Sequence, residues 1–266
     1  MASIRALATA VLLATVTPVL VRAPAAAAGP LAPVAEQPQK VQIPASAECK
    51  LSGSYWAPKD AKGEAPAVLM VHDAAGDRRD LVEFGERLAK QGFAVLSFDL
   101  RGHGESRGQE KAWADLNEVE RKELWQSAKE DVRACSKWLR EQKGVNDSKM
   151  SLLGDRAGCG LVLAHARSDE FVCALVLLDP TADQLGFNPS DQITQIAGLP
   201  TYIAVTKESQ PKAQVIAASG EKANAGAKFV EIAVFKGAAV MPVSDKSMFG
   251  GIGKFLSAKA MPKKAE

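Results

Sequence analysis

Short apolar runs alternate with amphipathic stretches along most of this chain, and that alternation limits the fold more than any other feature. The runs fall at 68–71, 94–98, 150–153, 172–178, 202–205 and 229–234. Helical patterns lie between them at 80–91, 117–142, 157–167, 211–225 and 251–258. A strand that is apolar on both sides must be covered on both sides, and helical crossovers of this length connect parallel neighbours. The pattern therefore predicts a parallel sheet between two layers of helices. Residues 50–56 read as an extended piece that adds antiparallel edge strands.

At 266 residues, 47% of them hydrophobic and 24% charged, the chain has material for one sizeable core, so a single α/β domain is expected over 49–258. No repeat is seen, and no insertion is long enough for a large lid domain. The expected architecture is a mostly parallel, doubly wound sheet of about eight strands, with any ligand crevice outside the carboxyl ends of the strands.

Residues 1–28 carry an early cation, Arg5, an apolar run over 6–21 and an alanine-rich end. This reads as a cleaved signal peptide and predicts a secreted or periplasmic protein. The run is shorter than the roughly 20 residues of a membrane span and contains Pro18, which argues against an uncleaved anchor. Residues 29–48, rich in Pro and Ala, read as a linker, and 259–266 as a solvated basic tail. Cleavage removes Arg5 and Arg22, leaving 31 of 33 basic residues against 31 acidic ones. A neutral mature chain predicts neither a nucleic-acid partner nor membrane binding after cleavage. The spacing of Cys49, Cys135, Cys159 and Cys173 matches no metal site. Cys135 shares an apolar helical stripe with Leu124, Val132 and Leu139, and Cys173 lies inside an apolar strand, so buried thiols are expected rather than disulfides. No metal or cofactor is implied.

The loops that follow the strands carry the motifs. His72-Asp73-Ala74-Ala75-Gly76 follows the first core strand, and Phe98-Asp99-Leu100-Arg101-Gly102-His103-Gly104-Glu105-Ser106 the second. Leu152-Leu153-Gly154-Asp155-Arg156-Ala157-Gly158 stands at a strand-to-helix junction, and Leu177-Leu178-Asp179-Pro180 ends the next strand. Together these resemble the α/β-hydrolase superfamily, in its dienelactone-hydrolase-like branch of serine hydrolases. The resemblance implies an α/β-hydrolase fold across the domain and a nucleophile elbow between Gly154 and Gly158.

It also implies a serine, an acid and a histidine in a set chain order, and this sequence departs from all three. Arg156 stands at the nucleophile position, and a guanidinium that stays protonated cannot attack a carbonyl. Ser209 stands at the acid position, with Glu208 a possible substitute one residue away. Val240 stands at the base position. The only histidines are His72, His103 and His165, so none lies where the superfamily places its base. Cys159 is three residues past the elbow and lacks the flanking glycines of a thiol nucleophile. Asp155 is one residue early for an aspartate nucleophile. His72 and His103 lie on loops at the functional end, where the resemblance implies a structural role for His103.

The resemblance further implies that amides at Asp73 and Ala157 form an oxyanion-hole-like pair beside the positive end of a helix. With Arg156 between them, a small carboxylate or phosphate is one candidate ligand, with His72 and Asp155 as neighbouring candidate binding residues. Alternatively Asp73 or Asp155 pairs with Arg156 and closes the pocket. The expected function is a noncatalytic, exported α/β-hydrolase-fold protein that binds a small anion or a protein partner. The alternatives are an active ester or acyl hydrolase with a nonstandard constellation, and a paralogue adrift from any function.

Overall fold

The computed structural model describes residues 38–47, 49–58, 65–107, 111–196, 198–236 and 246–260. Its centre is an eight-stranded sheet in the order β1-β2-β4-β3-β5-β6-β7-β8. The strands are β1 (Gln39–Pro44), β2 (Lys50–Trp56), β3 (Ala65–Val71), β4 (Ala94–Phe98), β5 (Val145–Asp155), β6 (Val172–Leu178), β7 (Thr201–Thr206) and β8 (Val230–Phe235). β1 and β2 are antiparallel to their neighbours, and every pairing from β4 through β8 is parallel. Every residue of β3, β4 and β7 is buried, as strands with no charged residue and helices on both sides require.

Helices α1 (Val82–Lys90) and α7 (Lys246–Ala260) cover one face. There Phe84, Leu88, Phe249 and Ile252 pack against Val68 and Met70 of β3. Helices α2 (Glu118–Ser127), α3 (Lys129–Arg140), α4 (Gly158–Ala166) and α6 (Gln210–Ala223) cover the other. There Trp125, Val132, Leu163 and Ile216 share a core with Leu69 and Val71. Successive β3 residues thus serve opposite cores, the period of two that strands impose. A four-residue helix, α5 (Pro189–Gln192), lies between β6 and β7.

Several boundaries differ from the sequence reading. The linker expected over 29–48 contains β1, which pairs with β2 along its whole length. In Gln-Lys-Val-Gln-Ile-Pro, Val41 and Ile43 alternate with polar residues, and Ile43 is fully buried; that period-two signal is real but spans only two apolar positions. The helical pattern at 117–142 divides at Ala128, whose ψ of −8° flattens the chain between α2 and α3. Asn117 starts α2, accepting from the Glu120 amide at 3.0 Å while its own amide donates to the Glu120 carboxylate at 2.9 Å, a reciprocal cap. Finally, α7 takes in Lys259 and Ala260, which the reading gave to the tail. The expected signal peptide at 1–28 lies outside the described residues. Among the described residues no helix is long and apolar enough to cross a membrane.

The segment after β4 is held by its own polar residues. The buried Asp99 carboxylate accepts from the amides of Arg78 (2.9 Å) and Glu105 (2.7 Å) and pairs with the Arg78 guanidinium. Ser106 Oγ accepts from the Ser52 amide at 2.8 Å. His103 Nε2 lies 3.0 Å from the Ala74 carbonyl, tying this loop to the one after β3. These contacts place His103 in the scaffold, as the resemblance implied.

Candidate functional site

The junction of β5 and α4 has the form of an elbow because two glycines let three backbones meet. A Cβ on Gly154 would sit 2.7 Å from Cys159 Cα, and one on Gly158 would sit 2.6 Å from the carbonyl oxygens of Val71 and His72. Neither is sterically possible, so only glycine lets α4 start against the end of β3. Between them Arg156 takes φ +47°, a left-handed conformation that costs a non-glycine residue about 1 kcal/mol. Its amide donates to the Leu178 carbonyl at 2.8 Å, which fixes the turn to β6. The side chain, half exposed, projects from the carboxyl end of the sheet.

Asp73, two residues past β3, occupies the space in front of the elbow. Its Oδ1 accepts from the Ala157 amide at 3.1 Å, and its Oδ2 lies 3.6 Å from Arg156 Nε. The Ala157 amide is one of the unsatisfied donors at the start of α4, where helix geometry leaves positive partial charge. A carboxylate suits that position, and the protein supplies its own. Of the two carboxylates weighed as partners of Arg156, Asp73 and Asp155, it is Asp73 that pairs with it.

Asp155 lies beneath the crest at 4% exposure, and its Oδ1 has no hydrogen-bond partner. Burial, and then the neighbouring Asp73 carboxylate, push its pKa up to about 8; Arg156 offsets only part of this. The side chain therefore carries its proton at neutral pH. Asp179, the first residue after β6, sits in the left-handed region at φ +44° and also acts electrostatically on Asp155. Asp179 lies in the Leu-Leu-Asp-Pro motif that ends β6, and the motif alone assigns it no role. The available signal was an aspartate between a strand end and a proline, since Asp is among the few residues that tolerate positive φ.

The other candidates are not brought to the crest. His72 is fully buried, its Nε2 accepting from the Leu100 amide at 3.0 Å and its Nδ1 lying 2.7 Å from the Asp73 carbonyl. Both ring nitrogens are engaged, so His72 is corrected from ligand-binding candidate to structural residue. Burial, then His103, push its pKa down to about 3, which keeps the imidazole neutral. Cys159 is buried, its thiol donating to the Gly154 carbonyl at 3.2 Å, and burial pushes its pKa far above the range of a reactive thiol. No disulfide joins the four cysteines. Ser209 is half buried at the start of α6, its amide 3.4 Å from Thr206 Oγ1, and Glu208 is exposed. Val240 lies outside the described residues. His165 sits in the last turn of α4, with Nε2 2.9 Å from Asp169 Oδ2. Three surface depressions elsewhere, the largest about 490 Å³ between Pro44 and α3, do not include Arg156.

Comparison with known proteins places these features in a family. The quorum-quenching protein AidA of Acinetobacter baumannii is 31% identical over 135 residues, covering 50% of this chain and 41% of that protein. An uncharacterised protein of Mycobacterium tuberculosis is 30% identical over 128 residues, covering 48% and 41%. The chain thus spans less than half the length of these relatives. Among solved structures, a Pyrococcus furiosus esterase superposes with a TM-score of 0.65 at 18% identity, covering 84% of this chain and 91% of that one. The α/β hydrolase GrgF of a Penicillium species gives 0.65 at 15%, covering 84% and 98%. At such identities the structures show a shared fold. The family model for dienelactone hydrolases matches residues 51–239, and the chain belongs to that family.

Proposed function

We propose that this chain is a noncatalytic, exported member of the family that acts by binding, with a small anion or a protein partner as its target. The observation that carries the proposal is the Asp73 carboxylate on the Ala157 amide. In a working elbow that amide stabilises the oxyanion of the acyl-transfer intermediate. Here an anionic side chain already fills the position. Arg156 at the apex offers a permanent cation where the reaction needs a nucleophile. Export rests on the character of residues 1–28, and the N-terminal sequence of the mature protein tests it.

The catalytic question is tested with purified protein, a fluorophosphonate probe and short acyl p-nitrophenyl esters. No covalent labelling, and no turnover above a buffer blank, is expected. Hydrolysis that survives purification and disappears on replacing one serine or cysteine overturns the proposal.

A further inference from the structure

We infer that Cys49 and Cys135 form a redox site, two thiols that oxidation joins into a disulfide between the β1–β2 hairpin and α3. The inference is independent of the noncatalytic reading above.

The hairpin presents Cys49 to α3 in a fixed register. Ile43 pairs with Leu51 and Pro44 with Lys50. Beyond them the amides of Ala45 and Ser46 donate to the Cys49 carbonyl at 2.9 and 3.2 Å, and the Cys49 amide donates to Ser46 Oγ at 3.1 Å. Side chains two apart on a strand share a face. Ile43 and Leu51 are fully buried in the core beneath α3, and Ala45 and Cys49 pack against the same core. Cys49 thus continues the buried face of the hairpin toward the helix.

Cys135 answers it from α3, fully buried in that core beside Val132 and Leu139. Ala134 and Trp138 line a depression of about 490 Å³ whose opposite wall is Pro44 and Ala45, so the end of the hairpin and this turn of α3 are neighbours with room to approach. Cys49 is also close enough to act electrostatically on Cys135. The structure holds both as thiols. The other two cysteines are engaged elsewhere, the Cys159 thiol donating to the Gly154 carbonyl and the Cys173 thiol to the Met150 carbonyl, each at 3.2 Å. An apolar strand or helix accounts for Cys135, Cys159 and Cys173. It does not account for Cys49, half-buried in the polar turn Ser-Ala-Glu-Cys-Lys, whereas a thiol across the interface does.

Exposure sets the order of the chemistry. Cys49, the more accessible, loses its proton and attacks a small disulfide oxidant such as glutathione disulfide, expelling one glutathione. Cys135 then loses its proton and attacks the Cys49 sulfur of the mixed disulfide, expelling the second. One S–S bond breaks and one forms, the two cysteines are oxidised, and the two glutathiones leave as thiols with the two protons. Burial holds the Cys135 thiol far above the range in which it ionises readily, so the second step is slow in the folded chain and faster during refolding. The bond joins residues 86 positions apart in the chain, and a long closed loop restricts the unfolded state strongly.

The test refolds the full chain from urea in glutathione disulfide and glutathione, with dithiothreitol as the reduced reference. Readouts are alkylation in denaturant, mass spectrometry of the peptides, and melting temperature. Oxidised protein is expected to expose two thiols where reduced protein exposes all four, to yield one peptide pair joined at Cys49 and Cys135, and to melt about 10 °C higher. Cys49→Ser should abolish both the joined pair and the redox dependence of melting, and Cys173→Ser should keep both. If Cys49→Ser does not refold by circular dichroism, Cys49→Ala carries the same test. Four thiols in the folded, oxidised chain overturn the inference. So does a bond that includes Cys159 or Cys173, a bond between two molecules, or a Cys49–Cys135 bond found only in unfolded protein.

Discussion

Asp73 and Arg156 face each other across the elbow, Oδ2 3.6 Å from Nε, with the same carboxylate also on the Ala157 amide. One side chain thereby meets both the amide at the start of α4 and the guanidinium at the apex of the elbow. The pair is peripheral to the packed core, and its removal has correspondingly small consequences.

Arg156→Ala is expected to lower stability by at most about 1 kcal/mol, since a half-exposed pair contributes little. Arg156→Gly should be more stable than Arg156→Ala, because glycine adopts φ +47° without the penalty that alanine retains. Urea denaturation of the three proteins checks the order. Alanine equal to or better than glycine would show that the turn is unstrained.

Asp155 makes stability depend on pH in an unusual direction for a carboxyl group. Its pKa is about 8 in the folded chain against 3.8 for the free group. A raised folded value means that the contribution is fully present below pH 3.8 and is lost as pH rises through 8, because the unfolded state releases its proton first. Asp155→Asn removes this dependence. The melting temperature of the variant minus that of wild type should increase steadily from pH 5 to pH 8. A constant difference across that range rules out the buried, protonated carboxyl.

Asp169 behaves in the opposite sense at the far end of α4. Burial alone would raise its pKa, but His165, the Phe171 amide and Arg140 together hold it well below the usual carboxylate range. Its oxygens also accept from Ser136 Oγ at 3.1 Å and from Arg140 Nη1 at 2.9 Å, so the residue joins α3, α4 and the start of β6. Asp169→Ala leaves Arg140 without its buried partner and should cost about 3 kcal/mol at pH 7. With a depressed folded value, that contribution is present above pH 3.8 and fades as pH falls further. Chemical denaturation at pH 7 and pH 3 should therefore show a smaller gap between variant and wild type at the lower pH.

The elements legible in the sequence were those whose pattern repeats. β4 and β6 were expected at 94–98 and 172–178 and occur at those residues, since each is an apolar run, interrupted in β4 only by Ser97. β1 was missed because an edge strand buries one face only, and Val41 and Ile43 are too few to establish a period. At the site, Gly154 and Gly158 announced the elbow because their spacing answers a steric demand. The pairing of Asp73 with Arg156 was legible only as one of two options, since residue types do not say whether a carboxylate and a guanidinium 83 positions apart in the chain will meet. The burial of His72 was hidden for a related reason. A histidine on a functional loop looks the same in sequence whether its nitrogens face a ligand or the Leu100 amide.

The position of Asp73 also bears on what rebuilding a hydrolase here requires. Nucleophile, acid and base act as a unit, so Arg156→Ser alone is expected to remain inactive. Adding Ser209→Asp and Val240→His supplies the missing groups at the positions that the family resemblance assigns. Yet in that triple variant Asp73 still holds the Ala157 amide, and an anion in the oxyanion position opposes the intermediate that the amide should stabilise. Loss of one oxyanion-hole donor lowers kcat by about 10²–10³ in a hydrolase. Asp73→Ala on the triple background is therefore expected to raise kcat for p-nitrophenyl acetate by about 10²-fold, with little change in KM, because the donor acts on the transition state rather than on the bound ester. Steady-state kinetics of the single, triple and quadruple variants decide the matter. If the triple variant is already as active as the quadruple, Asp73 moves aside without cost, and its contact with Ala157 does not close the site.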